Sequence, residues 1–156
     1  MSKPILILGI GNTLLSDDGL GPYIIEELQN YSLKGVKLID GGTQGLNLMP
    51  YFEDIDRVIL IDAISSSNYP LGEVLKIPKD NILKTLSQKM SVHEIGIVDL
   101  LSNLSLVDKE PKEIILIGLV TNNFEFAYGV SPIVKENKQK LIEAIISTLN
   151  LWQEES

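Results

Sequence analysis

ILILGIGNTLLSDDGLGPYIIEELQNY, residues 5–31, decides the fold class. Residues 5–10 form a short, almost unbroken run of Ile and Leu. Such a run suits a strand covered on both faces of a parallel sheet. Two glycines end it, Asp17 and Asp18 stand side by side in the turn, and two more glycines follow. From Gly21 the apolar residues recur at helical spacing, with Pro22 near the start, where a missing N–H does little harm. Three further runs repeat the strand signal: VKLID (36–40), VILIDA (58–63) and IILIGL (114–119). GEVLKI (72–77) alternates more and reads as an edge strand. Helical patterns occupy GLNLMPYFEDI (45–55, with Pro50 as a kink or start), HEIGIVDLLSNL (93–104) and PIVKENKQKLIEAIISTLNLW (132–152). Ser131 and Pro132 read as the N-cap and first residue of the last helix. Strand alternating with helix predicts an α/β domain with a mainly parallel sheet. No repeat or linker divides residues 1–156, so a single domain is expected, with a long loop at 120–131.

The chain has 156 residues, 44% of them apolar, and a formal charge of −8. That length and apolar content support a real core. The acidic balance sets aside nucleic acid and anionic membranes as partners. There is no cysteine, which removes disulfides, thiolate metal sites and a cysteine nucleophile together. Lys3 before ILILGIGNTLL imitates a signal peptide poorly, because glycines interrupt the apolar run and no cleavage site follows. A soluble, cytoplasmic monomer is expected.

Ligands of open parallel sheets bind beyond the carboxyl ends of the strands. The polar residues expected there are Asn12, Ser16, Asp17 and Asp18 after the first strand, and Asp40 to Thr43 after the second. Asp62 and SSSN (65–68) follow the third, and Thr121 to Asn123 follow the last. The chain's one histidine, His93, opens a helix. A dinucleotide site does not fit: Leu14 stands where the third fingerprint glycine belongs, and two carboxylates would repel a pyrophosphate. A divalent metal site fits better, since carboxylates and one imidazole suit Zn²⁺ or Ni²⁺. Each residue also has a plainer role. Asp17 or Asp18 can cap a helix, Asp40 can bond the backbone of the GG turn, and a lone histidine can be structural.

GIGNTLLSDDGLG (9–21), IDGGTQG (39–45), VILIDA (58–63) and SVHEIG (91–96) together resemble the hydrogenase maturation proteases. These endopeptidases finish the large subunit of [NiFe] hydrogenases. The resemblance implies a three-layer α/β/α sandwich around a mostly parallel, twisted sheet of about five strands. It implies a metal-binding triad of Asp18, Asp62 and His93, with Asp40 needed for cleavage. Asp17 and Asn12 match motif positions without an assigned role. It further implies that the metal is nickel carried by the hydrogenase large-subunit precursor, from which a C-terminal tail is removed. The nickel then acts either as a recognition mark or as a Lewis acid. A non-cleaving chaperone that binds nickel or precursor, and a metal-dependent peptidase with another substrate, are the alternatives. The chain departs from the family at LIGLVTNNFEF (116–126). The proline that many members carry there is missing, and the next proline is Pro132. GVSP (129–132) still resembles the family.

Overall fold

The computed structural model describes residues 3–87 and 92–155, with all their side chains except those of residues 87 and 92–95. Five strands form one sheet: β1 (Ile5–Ile10), β2 (Val36–Gly42), β3 (Arg57–Ile64), β4 (Val74–Pro78) and β5 (Glu113–Val120). Their spatial order is β2-β1-β3-β5-β4. Only β4 runs antiparallel, against β5, and it lies at an edge as its alternating sequence predicts. All six residues of β1 are buried, which accounts for its unbroken apolar run.

Strand alternation splits the apolar side chains into two layers. Ile5, Ile7, Ile59, Ile61, Ile117 and Leu119 face helices α1 (Leu20–Leu28) and α4 (Pro132–Glu154). Leu6, Leu8, Val58, Leu60, Ile114 and Leu116 face the other side. There they meet a 3₁₀ helix (Gly45–Phe52), α2 (Lys79–Ser87) and α3 (Val92–Leu106). The result is the expected α/β/α arrangement. Among the described residues no helix is long and apolar enough to cross a membrane.

Three elements differ from the sequence expectation. VKLID, read with the buried strands, is the other edge strand, and all but Gly41 of β2 is partly or fully exposed, because only β1 pairs with it. Residues 45–52 wind as a 3₁₀ helix, with Pro50 inside it, whose ring would clash with the carbonyl four residues back in an α-helix, and with Gly45 entering at φ +53°. Helix α2, which the sequence reading omits, buries Ile82 and Leu86 one turn apart.

The topology also fixes where a site can form. From β1 the chain passes through α1 to β2 on one side. The connection from β2 to β3 then passes across the other face. Within the sheet, the chain leaves β1 toward β2 on one side and leaves β3 toward β4 and β5 on the other. The carboxyl ends of β1 and β3 are therefore the topological switch point, where open α/β sheets form their binding crevice.

Candidate active site

Gly11, the first residue after β1, is the pivot of that crevice. Its N–H donates to the carbonyl of Gly42 at 2.9 Å, which ties the end of β2 to it. Its φ is +137°, and a Cβ added there would lie 1.8 Å from the Asp18 carbonyl oxygen and 3.7 Å from Asp62 Oδ1. Only glycine lets the double-aspartate turn come this close to β1 while Asp62 reaches in from β3.

Asp18 is 2% exposed, and its Oδ2 accepts the Asn12 N–H at 3.1 Å. Asp62, paired in register with Gly118 two residues before the end of β3, is fully buried. Its Oδ1 accepts the Ala63 N–H at 2.8 Å. The structure thus brings Asp18 and Asp62 to the same stretch of backbone, Gly11–Asn12. Burying a carboxylate is expensive unless it is compensated, and each of these two accepts a backbone N–H.

Asp40 shares this rim but not this face. By strand alternation it lies on the α1 side, with Leu38, whereas Asp62 lies with Leu60 on the α3 side. Asp40 is exposed and accepts the Gly42 N–H at 3.0 Å, the plainer role that the GG turn suggests. A register shift between Gly9 and Ile10, opposite Asp40 and Gly42, marks a bulge at the end of β2. Among the described residues no three acidic or imidazole groups meet at one point. His93 is the remaining candidate. Its backbone lies in the first turn of α3, and its side chain lies outside the described residues. That helix is anchored close to the rim: a Cβ on Gly45 would stand 3.0 Å from the Gly96 Cα, so backbone meets backbone where α3 crosses the 3₁₀ helix.

Residues 22–148 match the family model described as hydrogenase maturation protease. The Hydrogenase 2 maturation protease of Escherichia coli K12 is 33% identical over 147 residues, covering 93% of this chain and 90% of its own length. The chain belongs to the hydrogenase maturation protease family. The solved hydrogenase maturating endopeptidase HybD of E. coli superposes with a TM-score of 0.86 at 30% identity, over 94% of this chain and 92% of its own. HybD from Thermococcus kodakarensis gives 0.77 at 31% identity, over 93% and 98%. As a member of this family the protein is an endopeptidase, and so a hydrolase.

Within this maturation-protease fold, the first aspartate of the pair has a role that the sequence reading leaves open. Neither Asp17 nor Asp18 caps a helix. Both lie inside a short 3₁₀ helix (Ser16–Gly19), and the N-cap of α1 is Gly19, which has no side chain to offer. Asp17 is fully buried and acts as a clasp. It accepts the Thr121 hydroxyl at 2.5 Å, the Ser131 N–H at 2.7 Å and the Ser131 hydroxyl at 2.7 Å. Ser131 stands at the N-cap of α4, as the sequence predicts, but its hydroxyl goes to Asp17 instead of to its own helix.

Both ends of the 121–131 loop are thus fastened to one carboxylate. The loop's middle is fastened as well. Ser16 N–H donates to Ala127, Ala127 N–H to Leu14, and Asp17 N–H to Asn123, at 2.8, 3.0 and 3.0 Å. Ser16, held at a left-handed φ of +50°, also donates its hydroxyl to the Glu125 carbonyl at 2.9 Å. A strained serine secured by two loop contacts is a backbone cost of roughly 1–3 kcal/mol that the loop offsets. The family's missing proline therefore does not leave the loop loose.

Asp17→Ala removes the acceptor for three donors at once. It is expected to lower stability by about 2–3 kcal/mol. The measurement is a urea titration, and Asp17→Asn, which keeps one acceptor, should fall between the two. A midpoint equal to the wild type would deny the clasp.

Proposed function

We propose that this endopeptidase removes the C-terminal extension of a [NiFe]-hydrogenase large-subunit precursor after nickel has been inserted. In this reading Asp18, Asp62 and His93 meet the nickel that the precursor already carries. The observation that carries the reading is that two buried carboxylates meet the backbone just after β1: Asp62 Oδ1 reaches in beside Gly11, and Asp18 Oδ2 accepts the N–H of the next residue, Asn12. Two hard oxygen donors and one imidazole suit a borderline dication such as Ni²⁺. Three protein donors without sulfur leave its shell incomplete, so the precursor's own ligands must complete it.

The nickel supplies a fixed positive charge that the buried carboxylates can recognise. The remaining steps fall to residues of this chain. The crevice between the strand ends orients the metal-bearing segment against Asp18 and Asp62. Asp40, exposed on the α1 side with Oδ1 pinned by the Gly42 N–H, faces the peptide beyond it. There it serves as general base toward the water that attacks the scissile carbonyl. Cleavage then needs nickel on one face of the sheet end and polypeptide on the other at the same moment. That double requirement would couple trimming to completed metal insertion.

The test is direct. Nickel-loaded and nickel-free precursor are incubated with the protein, and the large subunit is followed by gel for a decrease in size. Trimming of the loaded form alone is the expected result. Equal trimming of both would remove nickel recognition from the reading.

A further inference from the structure

A groove of about 500 Å³ runs between α1 and the end of the 121–131 loop. Tyr23 and Glu26 line it from α1, Asp40 from β2, and Tyr128 and Val130 from the loop. It lies on the sheet face opposite Asp62 and reaches the double-aspartate turn at Thr13, Ser16 and Gly19. An apolar, aromatic lining with a few placed polar groups is the usual composition of a ligand site. Beside the groove the loop presents two aromatic rings to solvent, Phe126 at 83% and Tyr128 at 84% exposure. The hydrogen bonds to Leu14, Ser16 and Asp17 hold the backbone that carries them. Exposed rings on a fixed backbone offer apolar contact at little ordering cost.

We propose that this groove and the two rings grip the C-terminal extension of the precursor as an extended polypeptide, and so help select the substrate. The inference rests on the proposed function above. Three observations choose the occupant. Asp40, the residue assigned to cleavage, forms part of the groove, so whatever lies there is continuous with the bond to be cut. A concave slot of this size admits a loose chain and excludes the convex surface of a folded domain. The carboxylates of Glu26 and Asp40 disfavour an acidic segment. Lys138, beside Tyr23, is already engaged: it lies 3.4 Å from Glu27 and 5.8 Å from the centre of the Tyr23 ring. Tyr23, with Glu27, holds its amine above the ordinary value. The occupant is therefore a neutral or cationic stretch of extended chain.

The experiment titrates a synthetic peptide, spanning the precursor's extension and the residues just before it, into three full-length proteins by calorimetry. These are the wild type, the double variant Phe126→Ser with Tyr128→Ser, and the control Leu106→Ser. Leu106 is 82% exposed at the far end of α3, so all three substitutions spare the core. The double variant is expected to bind about ten-fold more weakly and to lose kcat/KM on whole precursor by the same factor. The control should match the wild type. Equal affinity in the double variant, or normal trimming by it without measurable peptide binding by any of the three, would overturn the grip. The two proposals fail separately. If the wild type trims precursor and the double variant does so equally well, the grip falls and the function stands. If the wild type trims nothing yet peptide affinity depends on the rings, the function falls and the grip stands.

Discussion

Asp62→Asn and Asp18→Asn should each give a folded protein that no longer trims nickel-loaded precursor. The expected loss is at least roughly a hundred-fold, because even the loss of a partner behind a metal ligand reaches 10- to 100-fold. An amide keeps the shape and one acceptor. Its oxygen can still accept the Ala63 N–H in the first variant and the Asn12 N–H in the second. What disappears is the negative charge that a dication requires. The fold should survive, because each amide oxygen keeps the backbone hydrogen bond that the carboxylate accepts. The thermal midpoint should therefore stay close to that of the wild type while activity falls. The measurements are the gel shift of the loaded precursor and a thermal scan of each variant. Undiminished cleavage by either folded variant would take that carboxylate out of the mechanism.

How far the sequence carries this picture depends on how local each signal is. The buried strands are legible because each is a short apolar run whose neighbours in the sheet demand apolar cover on both faces, as at Ile5–Ile10. The antiparallel edge strand Val74–Pro78 is legible from its alternation. Helix α2 carries its own signal, Ile82 and Leu86 at i and i+4, but it follows Pro78 directly with no turn to announce it. The 3₁₀ helix at residues 45–52 contains Pro50, which the sequence marks only as a kink or a start. The site divides in the same way. Fold topology places Asp18, Asp40 and Asp62 at one sheet edge, and the sequence suffices for that. The face each occupies depends on pairing register, which puts Asp40 on the α1 side and Asp62 on the α3 side. The burial of Asp17 comes from Thr121 and Ser131, more than a hundred residues away, and no pattern around Asp17 itself could reveal it.

Gly11→Ala should damage both the fold and the site. The added methyl would sit 1.8 Å from the Asp18 carbonyl oxygen, a backbone atom that no side-chain rotation can move aside. The φ of +137° adds strain for any residue with a Cβ. Overpacking and left-handed strain each contribute roughly 1–3 kcal/mol, so a loss of about 3–5 kcal/mol is expected. For a chain of this size that lowers the thermal midpoint by roughly 6–20 °C. Relief requires the double-aspartate turn and the end of β1 to move apart. That motion displaces Asp18, whose Oδ2 accepts the Asn12 N–H. Trimming should therefore be lost even at temperatures where the variant remains folded. This outcome separates geometry from charge: the asparagine variants lose activity with stability intact, whereas the alanine keeps every carboxylate and loses both. Should Gly11→Ala melt with the wild type and trim precursor at full rate, the close approach at Gly11 would not be what assembles the site, and the two aspartates would have to find the nickel by some other arrangement.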